Sequence, residues 1–202
     1  MNLPKKELIK KAAIEVISRE GFHHATSDKI AVEAGVSVGT IYYYFDHKED
    51  ILAYIIKGEG EKRFPEICKL KQANMHPLDK IIAIARYHFK LVGEDHKVAK
   101  IIHRERHLPF IIPDGIKKVG GIPRFLEEII ADGVEAGHIR KCDVQIIAIT
   151  IFGIIEGAVG WYILEKEMGK ESDVLNRALV EIDSFLWCGL PSAGKNIKCS
   201  SE

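Results

Sequence analysis

"GVSVGTIYYYF", residues 35–45, places three consecutive tyrosines on a segment long enough for only a very short helix. Successive helical side chains diverge by about 100°, so Tyr42, Tyr43 and Tyr44 cannot all face one core. On a helical wheel Ile41 and Phe45 share one face, four residues apart, with Tyr44 at its edge. Tyr43 points nearly opposite, and Gly39 and Tyr42 lie on the adjoining face. Tyr42 and Tyr43 are therefore offered to solvent or to a partner.

The preceding residues supply a frame for that short helix. Ile9, Ala12, Ala13, Val16 and Ile17 recur at amphipathic spacing and predict a helix over 5–20, with Gly21 as its stop. Phe22 returns to the core. Thr26 or Ser27 can cap a second short helix ending at Ala34. Gly35 breaks it, and Ser37 can cap a third helix from Val38 to Phe45. Two short helices joined through a glycine turn form a helix-turn-helix, whose second helix is the one that enters a major groove. The chemistry agrees. A tyrosine hydroxyl donates to phosphate, its ring packs on a thymine methyl, and Gly39 lets a sugar-phosphate backbone come close. The helix start offers unsatisfied amides to phosphates, and Lys29 and Lys48 add positive charge. The competing reading has the tyrosines merely knitting a small core.

Bulk charge does not announce such a partner. The 202 residues hold 29 basic and 29 acidic side chains, and residues 1–60 hold 8 Lys/Arg against 9 Asp/Glu. If this head binds DNA, local placement must do what net charge does not. Four scattered cysteines (Cys68, Cys142, Cys188 and Cys199) form no CxxC pair, and no apolar signal segment opens the chain. Both features predict free thiols and a cytoplasmic setting.

Beyond "DHKED" a long helix is expected from Lys48 to about Leu70, followed by helices over 77–92, 95–107, 122–137, 143–168 and 173–188. No strand alternation interrupts them, so the expected fold is all-α. It comprises a helix-turn-helix head over 1–50, a larger helical body over 51–190 and a loose tail over 191–202.

"TSDKIAVEAGVSVGTIYYYFDHKEDIL", residues 26–52, resembles the DNA-binding signature of the TetR family of transcriptional regulators. The shared elements are Thr-x-x-x-Ile-Ala, Ala-Gly-Val-Ser, Gly-Thr-Ile-Tyr-Tyr-x-Phe and Lys-Glu. The resemblance implies a three-helix DNA-binding head and a body that binds a small molecule and dimerises through its last two helices. It places Thr26 and Ser27 on phosphates, with Ser37, Val38, Gly39, Thr40, Tyr42 and Tyr43 facing the groove and Lys48 on a further phosphate. Some relatives carry Arg where this chain has Asp28, which can accept from a cytosine amino group but cannot hold a phosphate.

The body carries its own signals. "IIAITIFGIIEGAVGWYIL", residues 146–164, is apolar nearly all round, as a membrane span would be. Glu156 at its middle and the lack of a basic cluster on either flank argue instead for a helix buried in a bundle. Val174, Leu175, Ala178, Leu179, Ile182, Phe185, Leu186 and Trp187 give the last helix an apolar face. Residues 143–168 and 173–188 of two chains can thus form a four-helix dimer interface, and a symmetric dimer reads a near-palindrome. Glu156 is either a polar anchor in an apolar effector pocket or an edge residue paired with a cation. Tyr87, Phe89, Phe152 and Trp161 are candidate pocket walls.

"HFKLVGEDHKVAKIIHRERH", residues 88–107, together with "FGIIEGAVGWYI", residues 152–163, is similar to acyl-CoA-responsive repressors of fatty-acid degradation within the TetR family. That implies an apolar tunnel with Arg104 and Arg106 gripping phosphates, the alternative being a solvated charged face. The subgroup's Glu-Leu-Arg run is replaced here by Glu105-Arg106-His107. His103 and His107 stand at the spacing of a helical metal pair, yet no third ligand is placed and no metal or cofactor is assigned. No nucleophile elbow, phosphate loop or paired-carboxylate motif suggests an enzyme.

Overall fold

A computed structural model describes residues 4–105 and 121–192. The described residues form α-helices and one isolated antiparallel bridge, between Ile139 and Pro191. The chain is all-α, as its periodicity predicts. Helices α1 (Lys5–Glu20), α2 (Ser27–Ala34) and α3 (Val38–Tyr44) begin and end where caps and glycines dictate. Thr26 Oγ1 accepts from the Lys29 amide at 3.3 Å, and Ser37 Oγ from the Thr40 amide at 3.2 Å. Gly35 ends α2 at φ 64°, a left-handed conformation that glycine reaches without Cβ strain. α3 stops one residue short of the expected Phe45, which is already extended.

α4 (Lys48–Gln72) runs two residues past its expected end and contains Pro65, which forgoes one backbone hydrogen bond. The remaining helices are α5 (Pro77–Glu94), α6 (His96–Glu105), α7 (Gly121–Glu135), α8 (Val144–Glu167) and α9 (Val174–Gly189).

The described residues divide into two compact units, 4–62 with 95–105 and 63–94 with 121–192. In the first, Ile9, Val16, Phe22, Ile30, Ile41 and Leu52 build the core, and Val98 and Ile101 of α6 join it. α6 is fastened at one end to α1 and at the other to the turn after it. Lys97 Nζ donates to both Glu15 oxygens, at 2.8 and 2.6 Å, while the Phe22 amide donates to the buried Glu105 Oε1 at 3.3 Å. Residues 95–105, which the sequence reading gives to the body, thus pack with α1–α3.

In the second unit Ile81 and Ile84 of α5, Leu126 and Ile130 of α7, Ile155 of α8 and Leu186 of α9 are fully buried or nearly so. Gly133 on α7 is required there. A Cβ at that position would meet Ile139 Cδ1 at 2.7 Å and Pro77 Cβ at 3.1 Å.

α8 is long and apolar enough to cross a membrane by length and composition, and only 33% of its apolar window is buried. It buries Ile151, Ile155 and Val159 within its own unit while exposing Ile146, Ile149, Trp161 and Leu164. α9 likewise buries Ile182 and Leu186 but exposes Val180 and Phe185. One expectation needs correction. Cys68 and Cys142 are free, but Cys188 is disulfide-bonded.

Candidate nucleic-acid interface and ligand site

α3 presents the surface that its wheel predicts. Ile41 and Phe45 are buried at 1% and 5% exposure, whereas Tyr42 and Tyr43 stand 55% and 81% exposed. The Tyr43 and Tyr44 rings meet edge to face at 5.0 Å, which steadies the outward ring. Ser37 Oγ and Thr40 Oγ1 lie 2.9 Å apart at the helix start. Gly39 is exposed, and a Cβ there would touch only Ser37 Oγ, at an ordinary 3.8 Å. Nothing inside the chain therefore requires a glycine in this helix, although glycine costs it about 1 kcal/mol relative to alanine. Thr26 and Ser27 open α2, Thr26 exposed and Ser27 partly so, and Val38 is half-buried.

The two lysines expected on phosphates are occupied within the chain. Lys29 Nζ donates to Glu20 Oε2 at 2.6 Å and to the His24 carbonyl at 3.1 Å. That hydrogen bond holds the Glu20 carboxyl below its usual range. Lys48 Nζ donates to the carbonyls of Phe22 (3.0 Å), His23 (3.3 Å) and Ala25 (3.1 Å), and it lies 4.6 Å from the centre of the Phe22 ring. An ammonium has three N–H donors, and each has a carbonyl here.

The candidate ligand residues separate. Arg104 belongs to the first unit, exposed, with its guanidinium 3.1 Å from where a Cβ on Gly21 would stand. Arg106 lies outside the described residues, as does His107. Tyr87, Phe89, Phe152, Glu156 and Trp161 belong to the second unit. Trp161 is 56% exposed and donates to Glu165 Oε1 at 3.1 Å, and Phe152 is half-buried. Phe89 lines a cleft of about 400 Å³ between α5, α8 and α9, where Arg86, Lys90, Tyr162, Leu175 and Asn176 also face it.

Glu156 is mostly enclosed, with its side chain 13% exposed, and it has a partner the sequence reading missed. His88 Nε2 of α5 stands 3.3 Å from Glu156 Oε1, the separation of an ion pair if the imidazole is protonated but without hydrogen-bond alignment. His88 Nδ1 is buried with no hydrogen-bond partner. The signal for His88 was available, since Ile81, Ala85, His88 and Val92 recur on one buried face of α5. A polar pair among buried apolar side chains is costly, and such a pair is a place to expect a polar group of a ligand. Among the described residues no group of three His, Cys, Asp or Glu side chains is placed to hold a metal ion.

Known proteins share both halves of this architecture. Residues 9–55 match the bacterial regulatory proteins of the tetR family, and residues 74–172 match the tetracyclin repressor-like C-terminal domain. The fatty acid metabolism regulator protein of Bacillus subtilis is 33% identical over 170 residues, spanning 81% of this chain and 86% of that protein. The fatty acid degradation regulator FadR from Bacillus halodurans superposes with a TM-score of 0.77 at 27% identity, over 92% of this chain and 96% of that one. A transcriptional regulator FadR from Bacillus subtilis, solved in complex with stearoyl-CoA, also gives 0.77 at 27% identity, over 89% and 96%. These relatives are transcriptional regulators, not enzymes. With the capped helix-turn-helix, the outward tyrosines and this two-part match, the chain belongs to the TetR family of transcriptional regulators.

Proposed function

We propose that the protein is a cytoplasmic, homodimeric repressor that holds a near-palindromic operator and releases it on binding a long-chain acyl-CoA. The observation that carries the effector assignment is the likeness, over most of both chains, to a regulator solved with stearoyl-CoA. The enclosed His88–Glu156 pair supports it, giving a polar point among the buried apolar side chains of the second unit. On the DNA side the reading rests on Tyr42, Tyr43, Gly39 and Thr40 in the groove. Ser37 and Val38 open the recognition helix, and Thr26 and Ser27 approach phosphate. Within the second unit Tyr87, Phe89, Phe152 and Glu156 are assigned to the effector.

The exposed apolar faces of α8 and α9 suit a four-helix interface between two copies, since Ile146, Ile149, Trp161, Val180 and Phe185 are otherwise left to water. Effector control is then a population shift, in which bound ligand favours a head spacing that no longer fits successive major grooves.

The test is release of a duplex selected from random DNA, titrated with acyl-CoA thioesters of graded chain length, with divalent metals and chelator as controls. Release that sharpens with chain length supports the assignment. Indifference to every thioester sinks the acyl-CoA effector, and other apolar ligands become the targets.

A further inference from the structure

The occupied state of Lys29 and Lys48 leaves a question of charge. A DNA-binding head with no net positive charge must present particular cations to phosphate, and the two expected ones are engaged elsewhere. The other cations of this unit narrow the choice. Arg19, Lys57, Lys62 and Lys97 stand opposite Glu20 and Glu33, Glu61, Glu59 and Glu15 respectively. Lys5, Lys6, Lys10 and Lys11, in the first two turns of α1, face no carboxylate at ion-pair distance among the described residues, and of these Lys6 and Lys10 lie over aromatic rings.

Their placement is not random. Lys6 Nζ lies 4.6 Å from the centre of the Tyr54 ring and 5.1 Å from that of Phe45, the residue on which α3 ends. Lys10 Nζ lies 5.7 Å from the Tyr54 ring, one turn further along α1. Tyr54 is itself fixed, since its hydroxyl donates to Glu7 Oε1 at 2.6 Å. Lys5, one residue before Lys6, is exposed. Aromatic faces hold an ammonium without neutralising it, so these cations are positioned yet keep their charge for an anion. Lys6 is thus held against the residue that ends the helix bearing Tyr42 and Tyr43.

We propose that Lys5, Lys6 and Lys10 form a phosphate-binding face that grips the operator backbone beside α3, supplying the electrostatic part of DNA affinity that Lys29 and Lys48 do not. This rests on the DNA-binding reading above and adds residues to it. The occupant is the phosphate backbone of duplex DNA, so the face carries affinity and no sequence preference.

The experiment measures operator affinity of the full-length dimer over a series of salt concentrations, using the duplex that the wild type selects. Each phosphate contact contributes about 0.9 to the slope of log K against log salt. Lys6→Gln or Lys10→Gln should therefore flatten the slope by about 1.8 in a dimer that carries each lysine twice. Lys5→Gln touches no ring, leaves the fold intact, and carries the same expectation. Lys6→Arg should keep the wild-type slope, and Lys57→Gln serves as a paired-lysine control. Relative affinities for point-altered duplexes should not change in any of these variants. Wild-type slopes in all three glutamine variants would overturn this proposal while leaving DNA binding standing. Selection of no duplex by the wild type would overturn both.

Discussion

Glu105 on α6 and Phe22, 83 residues earlier, are joined by a buried hydrogen bond from the Phe22 amide to Glu105 Oε1 at 3.3 Å. This bond closes the turn after α1 against α6, and Glu105 is only 8% exposed. Glu105→Ala leaves a buried amide unpaired, which costs about 1–3 kcal/mol. Glu105→Gln keeps an acceptor and should cost less than half as much. Urea midpoints of the two variants check the ordering, and equal losses would show that the charge rather than the acceptor matters.

Lys48→Met should lower the melting temperature while leaving the salt slope of operator binding unchanged. Its ammonium is spread over three carbonyls of the Phe22–Ala25 turn, and a charged hydrogen-bond donor removed from such a site costs about 1.5–3 kcal/mol. A flattened salt slope with unchanged melting would instead put Lys48 on phosphate.

Gly39→Ala sets stability against binding. The position is open within the chain, so alanine should raise stability by about 0.5–1 kcal/mol through helix propensity. The added methyl stands on the surface proposed to face the groove, and operator affinity should fall at least tenfold. Higher melting with undiminished affinity would remove the close-approach argument for this residue.

Val180→Glu on α9 puts a charge on a 67%-exposed apolar side chain whose neighbours Leu179 and Ile182 stay buried within the protomer. The monomer fold should survive and the dimer should not, as read by light scattering at micromolar concentration. A stable Val180→Glu dimer would move the interface off this face of α9.

Glu128 gives a pH signature in the body. A hydrogen bond from Lys71, with a second from Arg124 Nε at 3.2 Å, holds its carboxyl below the ordinary 4.5. The stabilisation is therefore complete above pH 4.5 and is lost as pH falls through the lowered folded value. Glu128 and Lys71 are each about a third exposed, so solvent screening limits the effect to about 0.5–1 kcal/mol. Lys71→Met should shrink the difference in urea midpoint between mildly acidic and strongly acidic buffer. An unchanged difference would assign the acid sensitivity to other carboxylates.

The head was legible because its signals are local. Thr26, Gly35 and Ser37 act within four residues of themselves, and the Ile41–Phe45 spacing alone turned Tyr42 and Tyr43 outward. The allegiance of α6 was not legible, since the amphipathic pattern of Val98 and Ile101 names a buried face but not what covers it. The same limit hid His88 opposite Glu156, and it hid the engagement of Lys29 and Lys48, whose partners lie on other segments or across a turn. Arg104 is a like case, since its charge is legible in the sequence whereas its place on α6 beside Gly21 is not.

The turn from Gly21 to Ala25 touches α1 through its chain, α2 through the Thr26 cap, α4 through Lys48 and α6 through Glu105. Four helices so joined cannot open one at a time, because releasing any of them strips partners from the same few backbone groups. Amide protons of α2 and α6 should then exchange with deuterium at a common, shared free energy, as one cooperative block. The core on which Ile41 of α3 packs would then open or close whole, so α3 would gain or lose its supports together.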